Sequence, residues 1–160
     1  MDGKRQGPLK VAGIDPGFSG ALSFPYDDTV YDMPVMGEGA GKCVDGAAVW
    51  AMLQKHSPDI IVIEQVAARP GQGVSTMFRF GTAYGAVYAL ALASNAVVIL
   101  VTPQKWKRTF GLIGKSKEAS RALALRMFPA MRDRLKRKKD EGRAEGLLLS
   151  VYGSKQHVMH

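Results

Sequence analysis

One cysteine, Cys43, is all the thiol chemistry in this 160-residue chain. An intrachain disulfide is therefore excluded, as is a zinc site built on cysteines, and a reducing cytoplasm is the simplest setting. Histidine is nearly as scarce. His56 closes a predicted helix, His157 and His160 lie in the tail, and none has a convincing catalytic neighbour. Long apolar runs are missing too: the longest, Ala86 to Val101, is interrupted by Ser94-Asn95 and is shorter than the ~20 residues a membrane-spanning helix requires. Behind the polar start Met1-Asp2-Gly3-Lys4-Arg5 no apolar segment follows, which argues against a secretory signal. A phosphate-binding loop is absent as well. Gly114-Lys115-Ser116 has the ending of one, but Thr109 stands where that motif needs glycine, and a helix rather than a strand precedes it.

Of the two signs of charge, the negative is the scarcer: 14 Asp and Glu against 22 Lys and Arg, a net charge of +8 that favours an anionic partner. The excess is local. Residues 105–139 hold 13 of the Lys and Arg residues against two acids, a net +11 that leaves the rest of the chain at −3. A basic platform beside an acidic pocket suits a polyanion that is cut with metal ions, while the plainer alternative is a solvated, lysine-rich helix face. With 46% hydrophobic and 22% charged residues, the composition suits one globular domain over 1–160, with its core at about 9–152 and short tails.

What is present is organised around Leu9 to Asp15, an apolar run that reads as a buried strand yet ends on a carboxylate and is stopped by Pro16-Gly17. The design recurs at Asp59 to Glu64, where four consecutive β-branched residues end in Glu64. An acid at the end of a core strand needs a partner or an opening to solvent. Two of them at one sheet edge suggest an oxygen-rich site for Mg²⁺ or Mn²⁺, which would align and activate phosphate chemistry. Either acid alone also reads as a helix cap or a surface carboxylate.

Taken in order, the chain predicts a hairpin from residues 9–15 and 19–24, then a third strand at 29–34. Gly37 to Gly41 reads as a mobile linker. A helix over 45–56, capped by Asp45, precedes the strand to Glu64. After the loop 66–73, a Gly- and Ala-rich helix runs from Ser75 to Ala93. Its small residues, among them Gly81, Gly85 and Ala89, would admit the sheet or the same helix of a second subunit, giving a homodimer. A strand at 96–101 follows, then a helix opened by Thr102 and Pro103. The helix 116–128 is predicted to turn Ala119, Leu123 and Met127 inward and Arg121 and Arg126 outward. The element order implies an α/β fold, a mixed sheet with helices on both faces. Trp106 and Phe110, set among Lys105, Lys107 and Arg108, either stack bases while the cations hold phosphates or pack inward. Glu145 precedes an apolar run, so it begins a helix that must pack and lies near the sheet edge where Asp15 and Glu64 end.

With Gly13-Ile14-Asp15-Pro16-Gly17, Ile63-Glu64-Gln65, Thr102 to Lys107 and Lys138 to Glu145, the sequence resembles the RuvC family of Holliday-junction resolvases, most of all its compact bacteriophage and prophage members. The resemblance implies an RNase H-like fold, a homodimer, and Mg²⁺-dependent cutting of four-way DNA junctions by paired nicks, with two ions per site and Mn²⁺ able to substitute. It implies no small-molecule cofactor. It assigns Asp15, Glu64 and Glu145 as catalytic, metal-binding acids. The family's further ligand falls on Glu141 or Asp140, since three residues before Glu145 stands Gly142. Glu141 is favoured by its spacing of four from Glu145, with Asp140 as a helix cap. Candidate DNA contacts are Arg69, Arg79, Lys105, Lys107, Arg108, Lys115, Lys117, Lys136, Arg137, Lys138 and Lys139. Where the family often carries an aromatic wedge this chain has Ala67-Ala68, leaving Phe78 or Arg69 to open a junction. Competing readings are another RNase H-like nuclease, acting on flap DNA or RNA–DNA hybrids, and a basic DNA-binding module whose acids are structural.

Overall fold

A computed structural model describes residues 7–68 and 70–158. Strands β1 (Val11–Asp15), β2 (Ala21–Phe24) and β3 (Thr29–Asp32) come first, followed by the two-residue strands β4 (Val35–Met36) and β5 (Cys43–Val44). Helix α1 (Gly46–His56), strand β6 (Ile60–Glu64), helix α2 (Val74–Ala93) and strand β7 (Val97–Val101) make the middle of the chain. Helices α3 (Pro103–Thr109), α4 (Lys117–Met127) and α5 (Glu141–Val158) complete it.

The main sheet has the order β3-β2-β1-β6-β7. β1 pairs antiparallel with β2 and β2 with β3, whereas β1–β6 and β6–β7 are parallel. The β-branched content of β6 suits a strand covered on both faces, and side-chain alternation sends its residues into two separate cores. Val11, Ile60 and Val62 pack against α3, α4 and α5 through Trp106, Ala124, Leu148 and Tyr152. Ile14, Ile61 and Ile63 pack against α1 and α2 through Leu53, Val87 and Ala91. Helices thus lie on both faces, as the element order implied.

Helix α5 lies unusually close to the sheet. A Cβ on Gly13 of β1 would stand 1.9 Å from the carbonyl oxygen of Gly146, and one on Gly146 would stand 2.5 Å from Ser23 Oγ. Glycine at both positions lets helix backbone rest on strand backbone. Arg143 fixes the first turn of α5 laterally with two bonds to Asp32 on β3, at 2.6 and 2.9 Å.

Several local expectations change. Gly37 to Gly41 is no linker: it forms the tip of a hairpin in which β4 and β5 pair antiparallel, with a 3₁₀ turn at Gly39–Gly41. In α4 Ala119 and Leu123 pack half-buried on the core as expected, beside the buried Ser120 and Ala124, while Met127 is exposed. Arg121, expected outward, folds back to donate to the carbonyl of Lys136 at 2.7 Å and to pair with Glu118. Asp45 does cap α1, accepting from the Ala48 N–H at 3.0 Å, and Thr102 holds the N-cap position of α3 without a side-chain bond. Helix α5 begins at Glu141, four residues before the expected start. Among the described residues no helix is long and apolar enough to cross a membrane.

Candidate active site

Because β1 and β6 run parallel with Ile14 opposite Ile63, their last residues, Asp15 and Glu64, finish level at the carboxyl edge of the sheet. Ligands of open α/β sheets gather at that edge. The close seat of α5 brings Glu145 to the same place, so that carboxylate oxygens of Asp15, Glu64 and Glu145 lie within 4.8 Å of one another. Burial pushes the Asp15 carboxyl up to about 8, and the charges of Glu145 and Glu64 add to it. Three acids held this close repel one another unless a cation or protons intervene. Their donors are all hard oxygens, the set that suits Mg²⁺ or Mn²⁺ rather than a thiophilic metal.

Two neighbours shape the cluster. Trp106 of α3 is fully buried and donates its indole N–H to Glu64 Oε2 at 2.6 Å. Lys107 Nζ stands 3.4 Å from Glu145 Oε1 and also lies over the Trp106 ring. The inward alternative for the aromatics is the one realised: Phe110 packs half-buried on the same core, its ring centroid 6.4 Å from that of Trp106.

Asp15 and Glu145 open into a cleft of about 710 Å³ that Glu141, Lys42, Arg79, Lys117 and Lys139 also line, while Glu64 lines a second cavity of about 510 Å³ with Gln65 and Thr102. Glu141 lies within α5, one turn before Glu145, and pairs with Lys117 at 3.2 Å. That bond raises the Lys117 pKa. Asp140 is turned the other way. It is 1% exposed and receives the backbone N–H of Arg137 at 2.9 Å and the Arg137 guanidinium at 2.7 Å. Burial works to raise its pKa, but the hydrogen bonds and charge of Arg137, helped by Arg143, outweigh it and hold the carboxyl below its ordinary value.

The candidate DNA contacts scatter. Arg79, Lys117 and Lys139 line the cleft, and Lys107 is beside the acids. Arg137 is occupied with Asp140 and Lys136 with Asp133. Lys105 lines a different, small cavity with Tyr152 and His157, while Arg108, Lys115 and Lys138 are exposed. Arg69 lies outside the described residues. Phe78 is 73% exposed on α2. Missed altogether from the sequence were the roles of Trp106, Arg143 and Lys42. Only Trp106 carried a signal, as an aromatic with an inward-packing alternative.

Comparison with known proteins places this geometry. The chain superposes on the Thermus thermophilus RuvC structure with a TM-score of 0.56 at 20% identity, covering 94% of this chain and 96% of that one. The fold is that of RuvC. The RNase H-like sheet implied by the sequence resemblance is therefore the observed one. RuvC from the same organism in complex with a Holliday junction substrate matches with a TM-score of 0.55, 20% identity and the same coverage. The yeast mitochondrial Holliday junction resolvase Ydc2 matches at 0.57 and 16% identity, over 94% of this chain and 79% of its own. In sequence, the chain is 33% identical over 84 residues to the chloroplastic Holliday junction resolvase MOC1 of Chlamydomonas reinhardtii. That match takes in 52% of this chain and only 10% of the relative's length. No family model matches.

Proposed function

We propose that the protein is a divalent-metal-dependent endonuclease that resolves four-way DNA junctions, acting as a homodimer that nicks two opposing strands. The observation that carries this reading is the Asp15–Glu64–Glu145 cluster at the carboxyl edge of a RuvC fold, opening into a cleft with cationic walls. The three acids would hold the metal, Mg²⁺ or Mn²⁺ and two ions per site, with Glu141 at the same helix face. Bound there, such an ion polarises the phosphodiester and lowers the pKa of the attacking water. Around it, Trp106 orients Glu64, Lys107 offsets the charge of Glu145, and Lys117 does so for Glu141. Lys139 and Arg79 meet the phosphates of the incoming strand. No covalent intermediate is needed.

The likeness to resolvases in both sequence and fold supports a branched substrate over flap DNA or RNA–DNA hybrids. The dimer is supported by α2, whose outer face exposes Val74, Phe78 and Leu92 beside Gly81 and Gly85. We place the protein in a reducing cytoplasm and read it as a resolvase of the compact bacteriophage type; the exposed thiol of Cys43 suits that setting. Purified protein is incubated with a mobile four-way junction, a flap and an RNA–DNA hybrid, with and without Mg²⁺, on denaturing gels. Symmetric nicks in the junction alone are the expected result; cutting of the flap or the hybrid in preference would reassign the substrate.

A further inference from the structure

Phe18 follows Asp15 by three residues, in a turn closed by the Gly20 N–H on the Gly17 carbonyl at 2.9 Å, so its backbone is held close to the acids. Two cations lie over that ring. Lys42 Nζ is 5.6 Å from the ring centroid and Arg79 Cζ is 5.4 Å from it. They come from unrelated elements. Lys42 ends the 3₁₀ turn of the β4–β5 hairpin, whose base is closed by the Asp45 N–H on the Pro34 carbonyl at 2.9 Å, while Arg79 projects from the second turn of α2. Bringing two like charges to one small ring is unfavourable unless something answers both. Neither has an acidic partner among the described residues, and Arg79 Nε is buried with no hydrogen-bond acceptor. All three side chains line the cleft that holds Asp15, Glu141 and Glu145.

We propose that Lys42 and Arg79, supported on Phe18, form a clamp for a backbone phosphodiester of the DNA strand lying in the cleft, beside the phosphate that the acids address. A guanidinium and an ammonium that both reach one ring and line one cleft offer donors suited to the oxygens of a phosphate. The ring attracts cations by its quadrupole and here serves as their support, not as a platform for a base. The hairpin is thus a strand-positioning arm. Because this rests on the nuclease reading only in taking DNA as the ligand, the test separates binding from cutting.

The affinities of wild type, Lys42→Gln, Arg79→Gln, Arg79→Lys and, as a control far from the cleft, Lys55→Gln are measured in EDTA. Fluorescence anisotropy on a labelled junction and a duplex is read from 50 to 300 mM NaCl. Each phosphate contact contributes about 0.9 to the slope of log affinity against log salt. Lys42→Gln and Arg79→Gln should each lower that slope by about 0.9 on both DNAs, Arg79→Lys should keep the slope but bind more weakly, and Lys55→Gln should match wild type. Unchanged slopes in both glutamine variants overturn the clamp even where the junction is cut normally. Lowered slopes in a protein that cuts no DNA uphold the clamp and remove the nuclease reading. Lys42 sits on the hairpin surface, so its variant decides the matter should Arg79→Gln fail to fold by circular dichroism.

Discussion

The indole N–H of Trp106 and Oε2 of Glu64 are 2.6 Å apart, a bond between a fully buried aromatic of α3 and the acid that ends β6. It fixes which way the carboxylate faces, the role that outer-shell donors play around metal ligands. Trp106→Phe keeps most of the packing and removes only the donor. Metal affinity should fall by about 10- to 100-fold, read as the Mn²⁺ concentration needed for half-maximal thermal stabilisation. An unchanged midpoint would reduce Trp106 to a core residue.

Asp15 links the cluster to pH. Its carboxyl, raised to about 8 by burial first and by Glu145 and Glu64 next, has a folded value above the ordinary 3.8. Without metal its contribution to stability is fully present below that ordinary value and is lost as pH rises through about 8. In EDTA the wild-type melting temperature should therefore drop between pH 6 and pH 9, and Asp15→Asn should flatten the drop. Mg²⁺ at a hundred times its Kd should restore about 2.7 kcal/mol to wild type at pH 9 and little to the variant. Asp15→Asn should also abolish cleavage while leaving junction affinity equal or higher, since one repulsive charge is gone.

The seat of α5 is tested at Gly146. An added methyl there would meet Ser23 Oγ at 2.5 Å, so α5 must lift or the Ser23 side chain must turn. Gly146→Ala should cost about 1–3 kcal/mol by urea denaturation and should weaken metal binding, because Glu145 precedes it. Gly13→Ala, meeting backbone at 1.9 Å, should cost more.

If α2 is the dimer interface, Gly85→Leu disrupts it. Gly85 has open space where a side chain would go, so the monomer itself loses nothing but helix-helix approach. Light scattering should then report a monomer, and an unchanged dimer would move the interface elsewhere.

The parts of this molecule legible in its sequence are those that local pattern dictates. Asp59 to Glu64 reads as a strand because its β-branched run has no helical alternative, and Asp15 stands out because a proline and a glycine end its strand at a charge. The convergence of Asp15, Glu64 and Glu145 followed from helix α5 having to pack. The hairpin at residues 35–44 was illegible: two-residue strands carry no periodicity, and five residues of glycine-rich tip look like linker until Val44 finds the core. The bond from Trp106 to Glu64 spans 42 residues, and no spacing rule reaches that far. Arg121 turns back because the carbonyls of residues 135 and 136, 14 and 15 positions on, lie within its reach, a contact no helical period could forecast.

One choice the sequence left open, between Asp140 and Glu141 as the acid that joins the cluster, turns on a single residue of phase. Glu141 is inside α5, one turn from Glu145, and lines the same cleft, where its counter-charge is the 70%-exposed Lys117. Asp140 stands on the far side of that turn, sealed against Arg137, where reaching a metal would mean breaking a buried ion pair. Glu141→Gln should therefore reduce Mg²⁺-dependent cleavage by a large factor with melting temperature nearly unchanged. Asp140→Asn should do the opposite: cleavage at low temperature close to wild type, but stability lower by about 1–3 kcal/mol because Arg137 keeps its charge and loses its partner. Since the folded Asp140 pKa is depressed, its stabilisation is present above the ordinary carboxylate range and is lost as pH falls through the folded value. The gap between Asp140→Asn and wild type should accordingly close in acid. Cleavage lost in Asp140→Asn and retained in Glu141→Gln would make Asp140 the ligand and require the first turn of α5 to unwind when metal binds.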